Sequence, residues 1–169
     1  MRFLGLSLLL ILGAVASHGA LAQQAKFNPT QCEGRTAQDC NDLMGSLNVP
    51  PEERSKVLLV RATALLQQHD LEGSIAEYRE MTVIDPHSLI AYSTLGFLES
   101  LGEKWKPAAA DLKRAVELSP DQGGLHAMLA IARAKDGDCP GARASLAEAK
   151  AKAATNLASS ELTVGEACP

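Results

Sequence analysis

From about residue 37 onward, apolar residues recur at three- and four-residue spacing, the period of helices with one buried face, and the runs are interrupted by short polar turns. The spacing predicts first helices at about 52–68, 88–101 and 122–136, and second helices at about 71–84, 105–118 and 140–153. Each pair is joined by a turn: His69-Asp70, Leu101-Gly102-Glu103 and Asp136-Gly137-Asp138. Pro86 and Pro120 stop the second helices they follow, and Ser88 and Asp121 are placed to cap the next first helices. Upstream, Cys40, Leu43, Met44 and Leu47 share one face of a short helix within 37–48, which Pro50 and Pro51 end. Downstream, Thr155 to Leu162 reads as a short returning helix and Thr163 to Pro169 as an extended tail.

The pattern repeats with a period of 34 residues. Asp85-Pro86 and Ser119-Pro120 lie 34 apart, and at the same offset Leu58, Tyr92 and His126 align, as do Ala62, Gly96 and Ala130. Ser74, Ala108 and Ala142 follow suit, then Tyr78, Leu112 and Leu146, then Met81, Ala115 and Ala149. This divides residues 55–156 into units 55–88, 89–122 and 123–156. Small residues at the shared positions let helix backbones come close, while Leu95, Leu112, Leu129 and Leu146 fill the space left between them. A hairpin of two helices hides its apolar face only by stacking on a neighbour, so the ends need caps. Residues 23–54 and 157–169 are expected to supply them.

The middle unit carries Tyr92-x-x-Leu95-Gly96, Ala108-x-x-x-Leu112, Ala115 and Pro120, and the third carries Leu129-Ala130, Gly137-Asp138, Ala142, Leu146 and Ala149. On these residues the chain resembles the tetratricopeptide repeat family, in its exported bacterial form. In the first unit Arg61 and Ser74 stand where apolar and small residues usually sit, and in the third Ala154 replaces the closing proline. The resemblance implies an all-α solenoid of three helix-turn-helix repeats with N- and C-terminal capping helices. It also implies a concave groove lined by first helices, here Leu59, Thr63, Leu66, Ile90, Ser93, Phe97, Leu101, Ala127, Ile131 and Ala134. Some members hold a C-terminal carboxylate with paired Lys and Asn, but Leu59 and Thr63 occupy the matching places and bring no charge. An apolar groove suits a peptide or an amphipathic helix, with Phe97 as the central contact. The other reading is that segment 23–36 or the tail 157–169 covers these positions.

Composition narrows the field further. The chain has 169 residues, 46% hydrophobic and 4% aromatic, with a net charge of −4. The apolar share supports a packed core, the scarcity of aromatics suits helices packed on small side chains, and the acidity argues against nucleic acid. Residues 1–22 read as an export signal. Met1-Arg2 precedes an apolar run from Phe3 to Val15, and Ala20-Leu21-Ala22 fits the small-x-small cleavage pattern. The run is too short to serve as a retained anchor, no cysteine follows it, and no stable membrane insertion is expected after cleavage. A periplasmic or secreted location follows.

Cys32, Cys40, Cys139 and Cys168 are an even set behind that signal, which reads as two disulfides. Three pairings exist, and locality favours Cys32 with Cys40 and Cys139 with Cys168. Their closed loops would contribute roughly 2.6 and 3.6 kcal/mol by chain entropy. No C-x-x-C, no finger spacing and no nucleotide-binding or hydrolase motif occurs. His69, His87 and His126 read as turn or surface residues, Glu52-Glu53 as helix-start acids, and Lys104, Lys106, Lys113 and Arg114 as a solvated face. Trp105, the only tryptophan, is either an inter-helix anchor or an exposed contact. No cofactor, no metal and no catalytic residue is expected. The chain reads as an exported, non-catalytic scaffold for a protein or peptide partner. The alternatives are an envelope redox or metal-handling protein using the cysteines, and an array that regulates an envelope enzyme.

Overall fold

The computed structural model describes residues 27–152, 154 and 157–169, so the signal-peptide expectation for residues 1–22 lies outside the described residues. A single 3-10 turn, Pro29–Cys32, leads into α1 (Ala37–Ser46), α2 (Pro51–Gln67) and α3 (Leu71–Ile84). Then come α4 (Leu89–Leu101), α5 (Trp105–Leu118), α6 (Gly123–Lys135), α7 (Cys139–Ala151) and α8 (Leu157–Ala167). The pairs α2·α3, α4·α5 and α6·α7 are antiparallel hairpins, and successive hairpins meet through α3·α4 and α5·α6. The fold is an α-solenoid of three repeats.

The six repeat helices end within two residues of where the apolar spacing places them, because their turns are chemically specified. Each intra-repeat turn puts one residue in the left-handed region: His69 at φ 61°, Glu103 at 55° and Gly137 at 89°, all 34 apart. The next amide reaches back five residues, Asp70 to Leu65, Lys104 to Glu99 and Asp138 to Arg133, at 2.8–2.9 Å. The left-handed residue's own amide donates to Leu66, Ser100 and Ala134 respectively, at 3.0–3.1 Å. This paired bonding satisfies the orphan carbonyls of a helix end and reverses the chain. Asp70 and Asp138 then cap the following helix, accepting from the amides of Gly73 at 2.8 Å and Gly141 at 3.0 Å. Lys104 at the same place in the middle unit has no capping side chain. Ser88 caps α4 as expected, accepting from Ala91 at 3.3 Å. Asp121 does not cap α6: Gln122 holds that position, and Asp121 pairs with Lys152 at 3.2 Å.

Within each hairpin the helices cross at one point. At Gly96 a Cβ would lie 2.9 Å from Leu112 Cδ2 and 3.2 Å from the carbonyl of Ala108, so no larger residue fits between α4 and α5. Ala62 and Ala130 hold the equivalent places and are fully buried, as are Ala108, Leu112, Ala115, Ala142 and Ala149. The core is continuous from Cys32 and Met44 through Leu58, Ile75 and Tyr78 to Leu95 and Leu98.

Arg61, the departure in the first unit, explains how the N-terminal segment is fixed. It donates to Glu77 Oε1 through Nε at 2.9 Å and Nη2 at 2.7 Å, to the carbonyl of Arg35 at 2.7 Å, and to the carbonyl of Cys32. Glu77 is almost fully buried, and burial raises its carboxyl above the ordinary range while Arg61 opposes the shift. An apolar residue at 61 would pack equally well but would leave two backbone carbonyls and a buried carboxylate unpaired.

Disulfides join Cys32 to Cys40 and Cys139 to Cys168. The C-terminal expectation needs correction: the chain is helical to Ala167, not extended from Thr163. Helix α8 packs on α6 and α7, where Val164 and Cys168 join Ala130, Ala134 and Ala142. Gly123 makes room for the return, since a Cβ there would meet the carbonyl of Lys152 at 2.8 Å. The outward residues of α1 (Gln38, Asp39, Asp42) are exposed and polar, while those of α8 mix Glu161 and Glu166 with Ala158 and Leu162, the last 64% accessible.

The three equivalent turns give a direct test. His69→Gly and Glu103→Gly should each raise stability by up to about 1 kcal/mol, and Gly137→Val should lower it by about 1–2 kcal/mol. Urea unfolding of the three variants measures both signs.

Candidate functional site

The first helices of the repeats, α2, α4 and α6, carry the residues expected to line a groove. On α4 the exposed row is Ile90, Phe97 and Leu101, with 62%, 48% and 59% of their surfaces accessible. These lie seven and four residues apart, on one helical face about 16 Å long. Ser93 sits within the row, half-buried, its hydroxyl donating to the carbonyl of Ile90 at 3.3 Å. On α2, Leu59 and Leu66 are half-buried and Thr63 is exposed, its hydroxyl donating to the carbonyl of Leu59 at 2.9 Å. None of these side chains bears a charge.

On α6 the picture differs. Ile131 is half-buried, but Ala127 and Ala134 are only 1% and 3% accessible. Ala134 belongs to the cluster that α8 seals with Val164 and Cys168. The expectation that the α6 residues lie open is therefore corrected at these two positions: the tail 157–169 covers Ala134. The N-terminal segment, in contrast, packs near Arg61, Ala64, Leu65 and Gln68, where a second cleft of about 410 Å³ separates it from α2.

At the other end of the row a cleft of about 470 Å³ opens between α2, α3 and α4. It brings together Leu59 and Ile90 with Met81 and Ile84, and Lys56, Asp85 and Ser88 stand at its lining. Sequence reasoning placed Leu59 and Ile90 in the groove but missed Met81 and Ile84. Ile84 had a signal: it is an apolar residue immediately before Asp85-Pro86, where the second helix must end beside the start of the next.

The histidines do not form a site. His69 adopts the left-handed turn and His87 donates its amide to Asp85 Oδ1 at 2.9 Å. His126 is buried rather than superficial, correcting the surface expectation, and its Nε2 carries a hydrogen to the carbonyl of Pro120 at 2.8 Å. Among the described residues no group of three His, Cys, Asp or Glu side chains is arranged to hold a metal ion. Trp105 is half-buried at the start of α5. Arg114 of the basic face lies over the Tyr92 ring at 5.9 Å and pairs with Glu117 at 3.1 Å.

The most perturbed group is Glu99 of α4, fully buried beside Asp111 of α5 and Arg79 of α3. Burial, then the charge of Asp111, pushes its carboxyl up to about 7, against the Arg79 guanidinium 2.7 Å away. Burial raises Asp111 as well. Glu99 Oε2 is buried and meets no donor. Neither carboxyl lines the two clefts described above, so the pair reads as an internal tie between helices rather than an acid–base site.

No protein-family model matches the chain, and no curated protein sequence does either. Solved structures do. The second tetratricopeptide domain of human RPAP3, solved with the HSP70 peptide SGPTIEEVD, superposes with a TM-score of 0.62 at 14% identity, covering 70% of this chain and 98% of that one. The TPR2B domain of yeast Sti1, in complex with an Hsp70 peptide, gives 0.58 at 18% identity, over 67% and 94%. MamA gives 0.60 at 16% identity, over 78% and 74%. The chain thus has the fold of tetratricopeptide arrays.

The carboxyl pair predicts a pH effect of definite sign. A folded-state value near 7 against about 4.5 unfolded means that the folded chain holds its proton to higher pH. The associated stability is present below about pH 4.5 and is lost as pH rises through 7. The melting temperature should fall by several degrees between pH 5 and pH 8. In Glu99→Gln at least half of that fall should disappear, as calorimetry at the two pH values would show.

Proposed function

We propose that this chain is an exported, non-catalytic scaffold that binds a peptide or an amphipathic helix along the face formed by α2 and α4. The observation that carries the reading is the uncharged row Ile90, Phe97 and Leu101, each 48–62% exposed and continuous with the cleft at Leu59, Met81 and Ile84. A water-exposed apolar face of this length on an otherwise well-packed stack is a common mark of an interaction surface. An amphipathic helix laid on it would present large apolar side chains three, four or seven residues apart. Two of the structural neighbours were solved with bound peptides, which supports a peptide-holding role for the same fold.

The chemistry of the ligand differs from theirs. The RPAP3 peptide ends in Glu-Glu-Val-Asp, whereas Leu59, Thr63, Ile90 and Ser93 offer no cation to a terminal carboxylate. A charged group desolvated along the α4 row would go unpaired, so the stripe buried there is neutral and apolar, while Glu52, Lys56 and Asp85 at the cleft are left to the partner's polar flanks. Export is supported by the two closed disulfides, which persist in oxidising compartments, and by the reading of residues 1–22. Among the described residues no helix is long and apolar enough to cross a membrane. The redox or metal-handling alternative has less support, since both cysteine pairs are spent fastening the ends of the stack.

A peptide-display selection against the folded protein tests the reading. Enriched sequences should carry apolar residues at helical spacing, bind saturably, and lose at least tenfold in affinity to Phe97→Asp, about 1.4 kcal/mol. The peptide SGPTIEEVD should show no saturable binding up to about 1 mM. Equal affinity for wild type and Phe97→Asp would remove the groove from the account.

A further inference from the structure

The two disulfides sit in unequal surroundings. Cys32 and Cys40 are both wholly inaccessible, inside the continuous core of the first unit. Cys168 is nearly buried, and Cys139, at the first position of α7, is partly buried with its Sγ 3.8 Å from the carbonyl of Ala167. Thiol exchange needs a thiolate to reach one sulfur of the bond, so the second bond is the more open to attack in the folded chain.

What the second bond holds is weak by itself. Helix α8 has 11 residues, with Ser159, Ser160, Thr163, Val164 and Gly165 in its interior, a length and composition that do not sustain a helix in water. Its apolar attachment is a small cluster in which Val164 and Cys168 meet mainly alanines. The polar attachments include Lys150 to Glu161 at 2.7 Å, between exposed side chains, Arg143 to the carbonyls of Cys168 and Pro169 at 2.9 and 3.0 Å, and interactions of Ser159 and the buried Ser160. An exposed pair of this kind contributes little. Beneath α8 lie Ala130, Ala134, Ala142 and Leu146. Helix α8 packs on both helices of the third unit, more on α6 than on α7, whereas α6 meets the second unit chiefly through α5.

We infer that the Cys139–Cys168 bond is a reducible latch: a dithiol opens it in the folded protein, α8 detaches, and the face of α6 and α7 beneath it is uncovered. One thiolate of the dithiol attacks Cys139 Sγ and Cys168 leaves as a thiolate. The second thiol of the dithiol then displaces Cys139, leaving two protein thiols and an oxidised, cyclic reductant. The inference stands whether or not the α4 row binds a peptide.

Stepwise treatment of the folded, oxidised protein with dithiothreitol, quenched by iodoacetamide and read by peptide mass, tests the latch. Cys139 and Cys168 should become alkylated at least about tenfold faster than Cys32 and Cys40. In the doubly alkylated species, amide hydrogen exchange should show residues 157–167 unprotected and residues 51–135 still protected. Radical footprinting of Leu146 should rise. The variant Cys139→Ser/Cys168→Ser should show the same exchange pattern without reductant. Reduction of both bonds at one rate, protection of 157–167 after alkylation, or global unfolding of the double variant would overturn the proposal.

Discussion

The structure depends on how closely two helices of a hairpin approach, and that distance is set by atoms that are missing. At Gly96, and at Ala62 and Ala130 in register with it, a larger side chain would push the paired helix away and unseat Leu112 or its equivalent. Once the hairpins are this thin, none of them covers its own apolar face, and stacking becomes compulsory. The polar outward face of α1 and the covering of α6 and α7 by α8 then follow, because a stack of finite length must end somewhere.

Polar side chains inside the stack specify what close packing alone leaves undetermined. At equivalent places on the first and second helices the three units carry Leu65 with Glu77, Glu99 with Asp111, and Arg133 with Ser145. Each has found a different solution. Glu77 is neutralised by Arg61, which also gathers the N-terminal loop; Glu99 shares its site with Asp111 and Arg79; and Arg133 donates to Ser145 at 2.7 Å and to the carbonyl of Gly141 at 3.2 Å. Buried polar groups of this kind cost stability when mispaired, so they favour one order of units over another.

Most of this was legible in the sequence because the repeat states each rule three times. Turn residues at 69, 103 and 137 and the prolines at 86 and 120 bound the helices tightly, and the locality of the cysteines agrees with the bonds formed. What was not legible depends on tertiary contact. Nothing local marks Thr163 to Ala167 as helical, since Gly165 and Thr163 weaken the pattern and packing on α6 and α7 supplies what propensity lacks. The burial of Ala127 and Ala134 could not be read from α6 alone, as small residues suit an open groove and a covered seam equally. Arg61 looked like a flaw in the first repeat because its partners, two backbone carbonyls and Glu77, lie 16 to 29 residues away.

The positions of the disulfides also determine how the chain carries mechanical load. A pull applied at Pro169 enters the covalent skeleton at Cys168 and crosses at once to Cys139, so the 29-residue span that includes α7 and α8 bears no tension. Stretched between its ends, the protein would yield from the α2–α6 region, and its contour would fall short by the two bridged lengths. A pull on the C-terminus would thus strain α2 to α6, while α7 and α8 stayed slack.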